Sequence, residues 1–225
     1  MSKVSPVTVE LLQKYDRPGP RYTSYPTAVE FADTFDDAAY RTHLRRANEA
    51  SDEPLSLYVH LPFCEERCSF CGCNVVVTKK RHVASDYLGY LHREIDMLAE
   101  MLPDRRRVSQ YHWGGGTPTY LPPEEIETLH RKIVEHFTIE DDAEVAIEVD
   151  PRVTTFEQLK LLRSLGFNRL SMGVQDFDPQ VQDAVNRVQP YEITKQLYDQ
   201  GRDLGYHSIN IDLIYGCLLY TSDAA

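Results

Sequence analysis

Short apolar runs rich in β-branched and aromatic residues alternate along this chain with stretches whose apolar residues recur at helical spacing. That alternation constrains the fold more than any other feature, because strands joined by helical crossovers pair in parallel and cross over right-handedly. The pattern predicts strands over 55–60 (LSLYVH), 110–113, 145–149 (VAIEV), 169–173 (RLSMG) and 208–214 (SINIDLI). Between them, Leu88, Leu91, Ile95, Leu98 and Leu102 mark one helix. A second opens at Pro122-Pro123-Glu124-Glu125 and carries Ile126, Leu129, Ile133 and Phe137 on one face. A third spans 155–165 and stops at Gly166, Asp178-Pro179 opens another, and the last spans 193–204 before Gly205. The expected class is α/β with a parallel sheet; periodicity does not separate an open doubly wound sheet from part of a β/α barrel. Either fold binds ligands at the carboxyl ends of its strands. CEERCSFCGC after the first strand, GGGTPT after the second, Glu148 in the third, Gln175 after the fourth and Asp212 in the fifth all fall at or near that end.

CEERCSFCGC, residues 64–73, holds four of the chain's five cysteines. Nothing at the N-terminus reads as a secretory signal and no run approaches the roughly 18 apolar residues of a membrane span. A cytoplasmic chain is therefore expected, in which a cysteine cluster binds metal rather than forming disulfides. Structural zinc sites usually take two separated cysteine pairs, and no second pair exists here. Ferredoxin-type clusters generally take one ligand distant in sequence, and Cys217 is the only distant cysteine. Three thiolates on one loop suit a [4Fe-4S] cluster with one iron left open; zinc and ordinary packed thiols stay open as alternatives. The formal charge of −11, from 24 basic and 35 acidic residues, argues against a nucleic-acid partner held through its phosphates. Arg105, Arg106 and Arg107 are expected in a solvated turn. HWGGGTPTYL (112–121) lacks the Gly-Lys-Ser/Thr ending of a phosphate loop.

The C-x3-C-x2-C spacing of Cys64, Cys68 and Cys71, with Phe70 directly before the third cysteine, resembles the signature of the radical S-adenosylmethionine (SAM) superfamily, as does the GGTP segment. RYTSYPT (21–27), YVHLPFC (58–64), Cys73, IEVDPR (147–152), SMGVQDF (171–177), VNRVQ (185–189) and INIDLIYG (209–216) are similar, within it, to the oxygen-independent coproporphyrinogen III oxidase family. This resemblance implies a partial (β/α) barrel of the radical SAM type with a parallel sheet. It implies a [4Fe-4S] cluster and two SAM molecules per site, with Cys64, Cys68 and Cys71 as iron ligands. Tyr58, Gly115 and Glu148 would contact the first SAM; Phe70, Gly116, Thr117, Gln175, Arg187 and Asp212 the second. Tyr58 and Cys73 are the expected catalytic residues, Cys73 standing outside the cluster. The implied reaction turns two propionates of coproporphyrinogen III into vinyl groups through a 5'-deoxyadenosyl radical. An electron donor of the flavodoxin or ferredoxin type, no nucleic acid and a monomeric state complete the expectation.

A related haem-trafficking group shares the cysteine and GGTP motifs, but typically lacks Cys73 and the RYTSYPT segment. The family pattern breaks at Cys217, where CLLYTSDAA reads as a non-native tail. The expected layout is an N-terminal segment 1–54, a β/α domain 55–216 truncated after about the fifth strand, and the tail 217–225. Arg21 is expected to meet the anionic substrate.

Overall fold

The computed structural model describes residues 8–15, 27–50 and 52–214. RYTSYPT up to Pro26, Arg21 with it, and Cys217 with its tail lie outside the described residues. The chain divides into a compact unit over Met1–Tyr40 and another over Arg41–Ala225. In the first, α1 (Val9–Tyr15) precedes a short helical turn at Ala28–Glu30, and Phe35 meets Tyr40 edge to face at 6.4 Å. Helix α2 (Asp37–Glu49) starts there.

The larger unit follows as β1 (Leu55–Leu61), β2 (Phe63–Cys64), β3 (Val76–Val77), α3 (His82–Met101), β4 (Arg107–Gly115), α4 (Pro123–Val134), β5 (Thr138–Val149), α5 (Phe156–Ser164), β6 (Arg169–Gln175), α6 (Pro179–Ala184), α7 (Tyr191–Asp203) and β7 (Ser208–Leu213). Five strands form one parallel sheet in the order β1-β4-β5-β6-β7. This is the α/β class with a parallel sheet that the alternation dictates. Strands β4 and β5 start earlier than the apolar pattern predicts. Their first residues pair as Arg107↔Thr138 and Val108↔Ile139, followed by a register irregularity between Val108 and Gln110. The first residues of β5 are mostly polar, so backbone pairing extends beyond the hydrophobic signal.

Local chemistry sets the helix ends. Thr155 and Gln158 form a reciprocal capping box at the start of α5, and the Asp178 carboxylate accepts from Gln180 N and Val181 N at the start of α6. The arginine run is not a solvated turn. Arg105 donates to Ala47 O at 3.1 Å, Glu53 O at 2.8 Å and Pro54 O at 3.3 Å, binding the end of α2 to the approach of β1. A cation at a helix carboxyl end is favourable there. No helix among the described residues is long and apolar enough to cross a membrane.

The sheet has two unlike faces. Side chains alternate along a strand, so Val59 and Leu61, Tyr111 and Trp113, Val145, Ile147 and Val149, and Leu170, Met172 and Val174 share one face, all buried. Ile126, Leu129, Ile133, Leu159, Leu162 and Leu197 from α4, α5 and α7 belong to the same core cluster. Trp113 packs edge to face on Phe167 at 5.3 Å, and Tyr111 lies 5.6 Å from the same ring. The other face carries Tyr58, His60, His112, Glu148, Ser171, Asn210 and Asp212, with cross-strand pairs Tyr58↔His112, Glu148↔Ser171 and Gly173↔Asp212. Among the described residues of the larger unit, α4, α5 and α7 pack on the apolar face, and the polar face carries the candidate site residues.

Candidate active site

The cysteine loop is closed by a two-residue parallel pair, Phe63↔Val76 and Cys64↔Val77, too short for any periodicity to reveal. Val76 N donates to Pro62 O at 2.6 Å and Thr78 N to Cys64 O at 2.9 Å. The middle of the loop is tied to the segment after α6, where Ser69 N donates to Val185 O at 2.9 Å and the Asn186 amide to Arg67 O at 2.7 Å. Arg81 anchors its outer side, donating to Tyr120 O and pairing with Glu65. With so many ties, the three cysteines of C-x3-C-x2-C are presented on a fixed arch.

Beneath the arch runs the glycine segment. Gly115 has φ +118°, a left-handed conformation that side chains other than glycine's resist. At Gly116 an added Cβ would sit 2.7 Å from Phe63 O and 2.8 Å from Pro62 C, backbone that cannot swing away. The close approach lets Gly116 N donate to Leu61 O at 2.9 Å and Thr117 N to Phe63 O at 2.8 Å. Thr117 Oγ1 then stands 3.6 Å from Cys64 Sγ. Glu148 accepts from Gly115 N at 3.1 Å and faces His112 Nε2 at 3.5 Å. Tyr58 stacks on His112 with ring centres 5.7 Å apart and meets His60 Nδ1 at 3.2 Å.

A buried ion network closes the floor. Asp150 pairs with Arg152 at 2.7 Å and with Arg187 at 3.1 Å. Arg187 also donates to Gly173 O at 2.7 Å, while its Nε is buried without a partner. Burial raises the Asp150 carboxyl, but hydrogen bonds and charge from Arg152 and Arg187 outweigh it and leave its pKa below the ordinary value. Burial pushes the Cys64 thiol up, with Cys71, Cys68 and Asp150 adding to the effect against the Thr117 hydroxyl. The Cys73 thiol is raised by burial and by Cys71, and the Tyr58 hydroxyl by burial, Glu148 and Cys73. A cationic metal centre would oppose the upward shifts of Cys64, Cys73 and Tyr58. At the end of β6, Gln175 adopts φ 72°, strain that sets its side chain apart from the strand's alternation.

These pieces enclose a cavity of about 500 Å³ lined by Cys64, Cys68, Phe70, Cys71, Cys73, Gly115, Gly116, Thr117, Glu148, Gln175, Arg187 and Asp212. Of the described residues assigned to the cluster, SAM or catalysis, Tyr58 alone is outside the lining; it lies on the same sheet face, 58% exposed, and reaches the cavity through His112 and Glu148. Asp150 and Arg152 are not legible from the sequence, although IEVDPR contains both, because their partners Arg187 and Cys68 are distant along the chain. Among the described residues no three His, Cys, Asp or Glu side chains converge as ligands of a single ion. A cluster does not require that convergence, since each thiolate takes a different iron.

A parallel β/α sheet with three loop cysteines over its carboxyl ends is the architecture of one class. Residues 58–217 match the Radical SAM superfamily, and the chain belongs to it. Within that class the similarity sharpens. The chain is 53% identical over 206 residues to the oxygen-independent coproporphyrinogen III oxidase of Salmonella typhimurium and 52% identical over 206 residues to that of Escherichia coli, in each case over 92% of this chain and 44% of the relative. The Pseudomonas aeruginosa oxidase is 46% identical over 220 residues, covering 96% of this chain and 47% of its own. The solved structure of the Escherichia coli coproporphyrinogen III oxidase, described as a radical SAM enzyme, superposes with a TM-score of 0.81 at 50% identity, over 91% of this chain and 45% of that one. The chain thus spans under half the length of these relatives.

Proposed function

We propose that this chain carries the SAM-cleaving site of an oxygen-independent coproporphyrinogen III oxidase. The observation that carries the reading is the convergence of Cys64, Cys68 and Cys71 with Gly115, Gly116, Glu148, Gln175 and Asp212 on one cavity, in a chain half identical to named oxidases. The donor set fits a [4Fe-4S] cluster: three soft sulfur ligands on one tied loop lining the cavity, with an unpartnered buried Arg187 Nε beside them. When bound, the cluster and SAM supply an electron and a 5'-deoxyadenosyl radical that takes hydrogen from a substrate propionate.

The chain's own residues do the rest. Cys64, Cys68 and Cys71 would hold the iron, and Cys73, on the same cavity wall, would stay outside the cluster so that SAM could meet the remaining iron. Glu148, fixed by Gly115 N, offers its remaining carboxylate lone pairs to an amine or to ribose hydroxyls. Gly115 and Gly116 let a ligand approach the backbone, and Thr117 and Phe70 line the same wall. Asp212 and Gln175 offer acceptors and donors from β7 and the end of β6. Arg187 presents its free Nε to a carboxylate. Tyr58, Gly115 and Glu148 serve a first SAM and Phe70, Gly116, Thr117, Gln175, Arg187 and Asp212 a second, Tyr58 and Cys73 stand at the reacting side, and the partners are coproporphyrinogen III and a small electron-donor protein acting on a cytoplasmic monomer.

Anaerobic reconstitution of this chain with iron and sulfide, reduction with dithionite and addition of SAM tests the site: 5'-deoxyadenosine is expected, and its absence from a cluster-loaded sample overturns the reading. Conversion of coproporphyrinogen III is checked in a chain extended to the relatives' length.

A further inference from the structure

The three candidate iron ligands do not stand in equivalent surroundings. Cys68 is buried, whereas Cys64 and Cys71 are half-buried. Cys64 Sγ has a neutral hydroxyl beside it, Thr117 Oγ1 at 3.6 Å. Cys68 Sγ has two cations: Arg187 Nη1 at 3.6 Å and Arg152 Nη2 at 3.9 Å, both directed as donors. Both guanidinium groups are held in place from elsewhere. Arg152 makes a fork to Asp150, Nε to Oδ1 at 3.1 Å and Nη2 to Oδ2 at 2.7 Å, and its own backbone N donates to the same carboxylate at 3.0 Å. Arg187 is fixed by Asp150 Oδ2 at 3.1 Å and by Gly173 O at 2.7 Å.

The charge balance of this group is informative. Two guanidiniums share one carboxylate, and the side chains of Asp150 and Arg187 are 8% and 9% exposed. An excess buried cation is costly unless an anion meets it. A plain structural ion pair would need one arginine per carboxylate, and among the described residues the remaining group facing both cations is the Cys68 sulfur. A metal-ligating thiolate at Cys68 brings a negative charge against both cations, and it is the one such charge that this chain itself supplies to Arg152 besides Asp150 among the described residues.

We propose that Asp150, Arg152 and Arg187 act as a positioning and tuning unit for Cys68, in which charged N–H donors on that one ligand sulfur raise the reduction potential of the cluster. Reduction adds a negative charge, and donors aimed at a ligand sulfur stabilise the reduced state more than the oxidised one. Arg152 is the informative member, because it touches the sulfur without being assigned to SAM. The inference rests on the cluster reading above, and the two fail separately.

The test is the midpoint potential of the reconstituted cluster, read by dye-mediated titration of its visible absorption and its reduced-state EPR signal. Parent, Arg152→Gln, Arg152→Lys and Lys79→Gln are compared, the last removing an equal charge from an exposed position after the loop, where it pairs with Glu66 at 3.4 Å. Arg152→Gln is expected to load iron and sulfide as the parent does and to titrate at a more negative potential. Arg152→Lys, with its charge and no fork, is expected between the two, and Lys79→Gln with the parent. Equal potentials for the parent and both Arg152 variants overturn the proposal. So does a shift of the same size in Lys79→Gln, which would show bulk charge at work rather than a directed donor. If Arg152→Gln fails to fold, Arg152→Lys decides alone by the same criterion. If neither variant loads iron while the apoproteins unfold at the parent's temperature, Arg152 serves loading, and the tuning assignment is wrong. A parent that takes up no cluster refutes the function proposed above instead.

Discussion

Glu148 Oε2 accepts a hydrogen bond from Gly115 N at 3.1 Å, joining the third sheet strand to the glycine segment at the point where the backbone turns left-handed. One carboxylate thus shapes the wall of the cavity and faces into it. The Glu148 side chain is 42% exposed, so its hydrogen bond contributes only about 0.5–1.5 kcal/mol to stability. Glu148→Gln keeps an acceptor for Gly115 and loses the charge. Its expected effect is a thermal midpoint within a few degrees of the parent, with SAM affinity of the loaded protein down by roughly 10-fold or more, as befits a lost charged hydrogen bond. Calorimetric titration and thermal unfolding of the same sample separate the two.

Gly116→Ala acts on the fold rather than the chemistry. Its Cβ would meet Phe63 O and Pro62 C, both backbone, at and just before the short strand that closes the cysteine loop. Overpacking of this kind costs about 1–3 kcal/mol. Thermal unfolding of the apoprotein should show the loss, and cluster loading should fall with it because the arch carrying Cys64 is displaced.

Much of this arrangement is legible in the sequence. The five strands, their parallel pairing and the placing of Cys64, Gly115, Gln175 and Asp212 at one end of the sheet all follow from the alternation of strand and helix patterns. What periodicity misses is short or non-local. The Phe63–Cys64 strand pairs over two residues only. Asp150 looks like the end of a strand until Arg187, from a different crossover, is brought to it. The Gln175 backbone at φ 72° comes from a non-glycine residue, which no propensity flags.

Asp150 makes acid sensitivity specific. Burial favours its protonated form, but Arg152 and Arg187 hold its pKa below the ordinary carboxylate value. A depressed folded pKa contributes stability that is complete above the unfolded pKa of about 3.9 and is lost as pH falls through the folded value. Asp150→Asn should cost about 3–5 kcal/mol near neutral pH, because two arginines lose their carboxylate. It should also flatten the acid limb of stability below about pH 4. Urea unfolding across that range is the check.

His130 gives a second, milder pH dependence of opposite chemistry. It packs against Tyr111 at 5.9 Å and Phe167 at 6.1 Å, its Nδ1 is buried without a partner, and burial lowers its pKa. The unfolded chain therefore binds the proton first, and stability declines as pH falls through about 6.5. His130→Leu should reduce this decline between about pH 7.5 and 5.5, leaving the share of His92, whose pKa burial also lowers, and the acid limb set by Asp150 intact. A urea series at the two pH values reads the difference directly.

The central claim is that three of the four loop cysteines hold an iron-sulfur cluster and the fourth does not. Iron and acid-labile sulfide are measured in the anaerobically reconstituted parent and in Cys64→Ser, Cys68→Ser, Cys71→Ser and Cys73→Ser, together with the EPR signal of the reduced samples before and after SAM. The account predicts about four irons and four sulfides per chain in the parent and in Cys73→Ser, a signal that changes on adding SAM, and loss of the intact cluster from the other three variants. Zinc in place of iron, or a cluster that survives Cys68→Ser and disappears with Cys73→Ser, would contradict it.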